Sequence, residues 1–246
     1  MSLIKTEGYV LKNIEFRETS RIITLFSRDY GVVSIMIKGG RKNNTFSPEI
    51  FDTYSKSSFV LYTPHSGEMY KHKESSLITS GIPLSKNIVT FFRVSFIFEI
   101  VLKVLPKHIP SNDIYCIVDN VLFKLFNHVN NDKNILYIYY FILNLLNILG
   151  YDIDTKHCIK CKTPLNSNAF FSSKGGGFFC SNCLNNNNFI NTEINVIATL
   201  DKIKNGNLKS IDYNIFESER KRIKNILISS LMYHLGLDIE KYITYI

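Results

Sequence analysis

Four cysteines are spaced for metal chemistry. Cys158-Ile159-Lys160-Cys161 is followed, after eighteen residues, by Cys180-Ser181-Asn182-Cys183. In each CxxC knuckle a tight turn aims two sulfurs at one point, and the excursion between the knuckles returns the second pair to complete a tetrahedron. The pattern predicts one zinc ion per chain held by Cys158, Cys161, Cys180 and Cys183. Four thiolates leave no open position, so the zinc is expected to be structural, not catalytic. Gly175, Gly176 and Gly177 precede the second knuckle, where a short hairpin must reverse. Lys156, Lys160, Lys162 and Lys174 are near enough in sequence to offset the negative charge of a tetrathiolate zinc. The same residues also allow disulfides or two separate CxxC redox pairs. His157 is the one neighbour that could replace a cysteine ligand, and Cys116, in an apolar helical pattern, is expected to be a buried free thiol.

No other chemistry-bearing pattern competes with this one. The chain has no GxxxxGK[ST] phosphate loop, no HExxH and no GxSxG. His65 and His72 fall in or beside a hairpin, and His108, His128 and His234 near helix ends, which suits surface or capping roles. The expectation is therefore a protein that acts by binding and is not an enzyme.

The elements that must position the cysteines fall into two groups. Residues 4–14, 21–27, 32–38, 54–63 and 69–78 read as five strands, with apolar side chains on both faces of the second. Five antiparallel strands in this length fit a small barrel of the OB type. Gly81-Ile82-Pro83 then punctuates the chain. Helical patterns follow over 87–105, from an N-cap at Ser111 to about residue 128, over 134–149 up to Gly150, just after Asn191-Thr192-Glu193, and over 218–235. The predicted fold class is α+β. Residues 1–80 are expected to form an OB barrel, and residues 81–246 an α-helical domain carrying the zinc module at about 156–186. Asn185–188 reads as a low-complexity loop. Residues 134–151 carry no charge, but at this length, and with Asn144 and Asn147 inside, they fit a buried helix better than a membrane span.

Composition sets weaker bounds. The chain has 246 residues, 45% of them hydrophobic, no Trp and a formal net charge of +8. That charge suggests an anionic partner, but it is spread as +3, +2 and +3 over residues 1–80, 81–150 and 151–246. Cysteines in a metal pattern and an N-terminus without an apolar signal core point to a reducing, cytoplasmic setting.

Several segments together resemble the bacterial RecO family of recombination and repair mediators. In the first half these are Gly8-Tyr9-Val10-Leu11, Glu18-Thr19-Ser20-Arg21, Leu25-Phe26-Ser27-Arg28-Asp29-Tyr30-Gly31 and the loop Lys38-Gly39-Gly40-Arg41-Lys42, which is similar to the family's KGAR(K) signature. In the second half, residues 141–151 lead into Cys158-x-x-Cys161, then Phe171-Ser172, Gly175-Gly176-Gly177 and Cys180-x-x-Cys183. Gly40 stands where the family usually has Ala, Asn43-Asn44-Thr45 where many members are more basic, and residues 242–246 lack the family's Ser-containing tail. The resemblance implies an OB barrel joined to a helical domain with a zinc module. It also implies a protein that binds single- and double-stranded DNA, anneals complementary strands, engages the single-stranded DNA-binding protein SSB, and with RecR helps load RecA.

An OB barrel holds nucleic acid in a positive groove with aromatic platforms. Lys38, Arg41 and Lys42 on the glycine-rich loop are the expected phosphate contacts, with Arg17 and Arg21 as further candidates. Arg220, Lys221, Arg222 and Lys224 form a second cluster, which as a charge run is more often a solvated helix face. The competing readings are a zinc-module adaptor that binds only proteins and, disfavoured by four-cysteine closure, a metal-dependent hydrolase.

Overall fold

The computed structural model describes residues 2–39, 47–64, 69–82, 87–127, 134–184, 189–211 and 213–246. Parts of the predicted loops and turns lie outside them, namely Gly40 to Phe46, residues 65–68, 83–86 and 128–133, and the Asn185–188 run; so do His65 and His128. The chain divides into two compact units, Met1–Leu122 and Phe123–Ile246.

The first unit is built on a closed barrel of β1 (Leu3–Phe16), β2 (Ser20–Ser27), β3 (Gly31–Ile37), β4 (Lys56–Tyr62) and β5 (Met69–Thr79), ordered β1-β2-β3-β5-β4. β1 makes closure possible because it is long enough to serve two partners. Its first half pairs with β4, Leu3 opposite Tyr62 through Tyr9 opposite Lys56, and its second half pairs with β2, ending at Phe16 opposite Ser20. A bulge between Val10 and Lys12 bends the strand between the two ladders. Where β1 crosses β2 only glycine fits: a Cβ on Gly8 would lie 2.4 Å from the Phe26 carbonyl oxygen. β3 and β5 run parallel, Ser34 opposite Met69, which corrects the all-antiparallel expectation. The parallel pair is what β5 must form to seal the barrel after β4 has paired with both β1 and β5. Val10, Ile23, Leu25, Val33, Ile35, Ile37, Phe59 and Leu61 fill the interior, and the 3-10 turn Pro48–Phe51 plugs it with Ile50 and Phe51.

One helix and most of a second complete the unit, whose boundary at Leu122 falls inside the latter. The side chain of Asn87 caps α1 (Ile88–Val104) by accepting the Thr90 N–H at 2.9 Å. The ring of Phe98 on α1 stacks on Tyr54 at 5.2 Å, and Tyr54 Oη donates to Ser95 Oγ at 2.8 Å. In α2 (Asn112–Asn127) the expected Ser111 cap forms, its Oγ accepting the Ile114 N–H at 3.4 Å. Asp119 on α2 accepts Tyr9 Oη at 2.7 Å and pairs with Lys56 Nζ at 2.6 Å. Cys116 lies on the outer face of α2 and is exposed, not buried as its apolar neighbours suggest. Ile114, Tyr115, Ile117 and Val118 take the inner positions, leaving Cys116 on the solvent side of the turn.

In the second unit α3 (Ile135–Ile148) is buried along most of its circumference and packs on α4 (Ile194–Lys204) and α5 (Tyr213–Leu235), with Tyr139 against Phe216. This is the buried apolar helix expected there. Among the described residues no helix is long and apolar enough to cross a membrane. The last helix starts at Tyr213, before the predicted 218. A three-stranded sheet of β6 (Ala169–Ser172), β7 (Gly177–Phe179) and β8 (Ile190–Thr192), ordered β7-β6-β8, carries the cysteine module, so the predicted hairpin gains a third strand.

Candidate metal centre and nucleic-acid face

The β6–β7 hairpin and the two knuckles bring all four cysteines to one point, with their Sγ atoms within 4.8 Å of one another. A tetrahedral zinc with Zn–S bonds of about 2.3 Å needs sulfurs roughly 3.8 Å apart. Cys161 Sγ and Cys180 Sγ are 3.7 Å apart. In the first knuckle the Lys162 N–H donates to the Cys158 carbonyl at 2.9 Å, and Lys162 takes a positive φ of 61° to close the turn. The Ile159 N–H donates to Phe178 O at 2.8 Å and ties this knuckle to β7. In the second, the Cys183 N–H donates to Cys180 O at 3.0 Å. Gly176, at φ +75°, turns the hairpin that places the second knuckle beside the first.

The electrostatics suit thiolates. The Cys180 N–H donates to Cys158 Sγ at 3.4 Å, and the Thr163 hydroxyl stands 2.9 Å from Cys161 Sγ. The Thr163 hydroxyl, with its own N–H, pulls the Cys161 thiol down to about 6. Burial opposes ionisation of Cys158, yet N–H donors from Cys161, Cys180 and Lys160 outweigh it and hold that thiol below its usual value. Cys183 is pushed up to about 12, first by its hydrogen bond to Cys161, since four sulfurs this close cannot all carry charge alone. A divalent cation relieves that conflict. The donor set is all thiolate and coordinatively closed, which fits a structural metal. His157 is not in the cluster; its Nδ1 pairs with Asp154 Oδ2 at 3.3 Å.

On the barrel, ladder registers place the predicted cations. Arg17 is exposed in the β1–β2 turn at φ 53°, its guanidinium 5.2 Å from the Phe16 ring centroid. Arg21 pairs in register with Glu15 and Ile37. Lys38 follows Ile37 directly and is exposed. All three therefore sit at one end of the β1–β2–β3 ribbon. Arg41 and Lys42 lie outside the described residues.

The pleat then separates them. Arg21 shares the inward side of the ribbon with Ile37, and its guanidinium lies 6.0 Å from the centroid of the buried Phe51 ring. Met36 takes the outward side, and Lys38, exposed, lies one residue past the end of β3. Continuing that outward side, Ile14 stands opposite Ile22, Ile22 opposite Met36, and Met36 opposite Lys71 across the parallel pair. The next row is Lys12, Thr24, Ser34 and Met69. Ile14 is 59% exposed, and Ile22 and Met36 are partly so. The result is an open apolar strip on the barrel wall, bordered by Lys12, Lys38 and Lys71. Sequence reasoning missed Lys12 and Lys71. The signal was available only through register, because these two residues are 59 positions apart in the chain.

A closed five-stranded barrel of OB topology, followed by helices and a tetracysteine cluster, defines the class by fold: an OB-barrel protein with a metal-ready module. The chain belongs to the RecO family of DNA repair and recombination proteins. The family described as "Recombination protein O N terminal" matches residues 1–80, and the one described as "Recombination protein O C terminal" matches residues 85–242. The chain is 27% identical to the DNA repair protein RecO of Thermodesulfovibrio yellowstonii over 252 residues, covering 97% of this chain and 98% of that one. It is 27% identical to the protein of the same name from Caldicellulosiruptor bescii, covering 98% of this chain and 96% of the relative. With that of Thermoanaerobacter sp. it shares 26% identity over 99% of this chain and 91% of the relative.

Proposed function

We propose that the chain is a cytoplasmic, nucleoid-associated recombination mediator that binds single- and double-stranded DNA and anneals complementary strands without covalent chemistry. In this reading residues 1–80 are the nucleic-acid-binding domain, and residues 81–246 are a helical domain stabilised by one zinc on Cys158, Cys161, Cys180 and Cys183. With RecR it helps load RecA onto DNA coated by SSB; family membership supports these partners. The observation that carries the DNA reading is the outward strip of Ile14, Ile22 and Met36 flanked by Lys12, Lys38 and Lys71. Apolar side chains give bases and sugars a surface, and the lysines displace counterions from phosphates. In this reading Lys38, Arg41 and Lys42 contact phosphates, with Arg17 and Arg21 as further candidates.

The test is single-strand binding measured across a salt series. The Lys38→Ala/Arg41→Ala variant is expected to bind more weakly without sequence bias, and the slope of log K against log salt is expected to fall by about 0.7 for each phosphate no longer neutralised. A folded double variant with an unchanged slope would remove this loop from the footprint.

A further inference from the structure

The basic run on α5 is not one surface. Arg220 Nη1 is 3.1 Å from Glu217 Oε1, and Lys224 Nζ donates to the Ile243 carbonyl, so both are engaged within the chain. Lys221 and Arg222 face elsewhere. With Ser218 and Asn225 they fall at positions i, i+3, i+4 and i+7, one face of the helix. That face and Ile190 and Asn191 of β8 line an open groove of about 430 Å³.

We propose that this groove is a second strand site, taking the phosphodiester backbone of a nucleic-acid strand through Lys221, Arg222, Asn225 and Ser218. The inference rests on the DNA-binding reading above and extends it to the second unit. None of the six lining residues carries a carboxylate, and all but Ile190 bring polar side chains able to donate. Lys221 is exposed and has no partner among the described residues. Arg222 is held in place from one side: its Nη1 donates to Glu193 Oε1 at 2.7 Å and to Asn191 O at 2.9 Å. Those contacts use one nitrogen and leave the rest of the fork as donors. With Glu193 offsetting one cation, the groove keeps a single positive charge, which matches a phosphodiester monoanion better than a dianionic phosphate ester. Ile190 supplies an apolar wall suited to a sugar. A strand held here and another on the barrel would be two strands on one molecule, which raises their effective concentration for pairing.

The test uses the full chain and a Lys221→Ala/Asn225→Ala variant. Both positions are exposed, and metal content and melting temperature check that the fold is intact. Three readouts are taken: affinity for labelled oligothymidine across a salt series, annealing rate of complementary oligonucleotides, and binding of inorganic phosphate. The variant is expected to lower the salt slope by roughly 0.7 and slow annealing about threefold to tenfold. Lys221→Glu is expected to slow annealing further. An intact variant with wild-type slope and annealing rate overturns the groove while leaving the barrel reading standing. Loss of inorganic phosphate binding with oligonucleotide behaviour unchanged also overturns it, in favour of a small-phosphate site. A wild-type chain that binds no strand at all takes down both the groove and the reading it rests on.

Discussion

Arg21 and Lys38 show how one step of register separates two cations that look equivalent in sequence. Lys38 is exposed one residue past the end of β3, so its loss is expected to leave stability unchanged. Arg21 points in, over Phe51, so it contributes to the barrel through packing and a cation–π contact. Arg21→Ala is therefore expected to lower stability by about 0.5–1 kcal/mol, measured as a shift in the urea midpoint. A variant as stable as the parent would show that the contact on Phe51 contributes nothing. His72 gives the barrel a pH dependence. Burial among Phe51, Phe59 and the strand wall lowers its pKa to about 4, while Glu74 pulls the other way. Below pH 6.5 the unfolded chain takes up this proton and the folded chain resists it. The contribution is thus fully present above 6.5 and is lost as pH falls towards 4. Since His72 keeps part of its surface in water, the loss is expected to be roughly 1–2 kcal/mol. His72→Asn should flatten the urea midpoint between pH 7 and pH 4.5 relative to the parent, and an equally steep variant would assign the dependence to another group.

At the scale of elements, the cysteine module is legible because ligand spacing is a local property. Each CxxC forms its own turn, and the glycines mark the reversal, so sequence alone brings the four sulfurs together. What stayed hidden was β8, three residues that become a strand only by pairing with β6. The barrel shows the same division. Strand positions follow from alternation, but the parallel β3–β5 pair and the outward row follow from closure, which no single strand encodes. Cys116 marks the limit of periodicity: an apolar helix turn still has a solvent side. The module's sheet is small, so the metal is expected to dominate its stability, at roughly 10–16 kcal/mol of apparent binding free energy for a structural zinc. Chelation should release about one zinc per chain and open residues 156–186 to proteolysis, with Cys161→Ser giving the same pattern without chelator. A module that resists protease after complete metal loss would show that β6–β8 packing suffices.

At the scale of the whole molecule, the net charge of +8 says only that an anion is a plausible partner. The fold converts that diffuse charge into places. Lys12, Lys38 and Lys71, scattered along the first part of the chain, come to border one apolar strip, while Arg220 and Lys224 are withdrawn into internal contacts. The measurement that bears most directly on the mediator reading is annealing of two complementary labelled oligonucleotides by the metal-loaded chain at low and high salt. Annealing well above the protein-free rate, falling steeply as salt rises, is the predicted result. A folded, metal-loaded chain that leaves the rate at its protein-free value at low salt would contradict it and point instead to a zinc-module adaptor that binds only proteins.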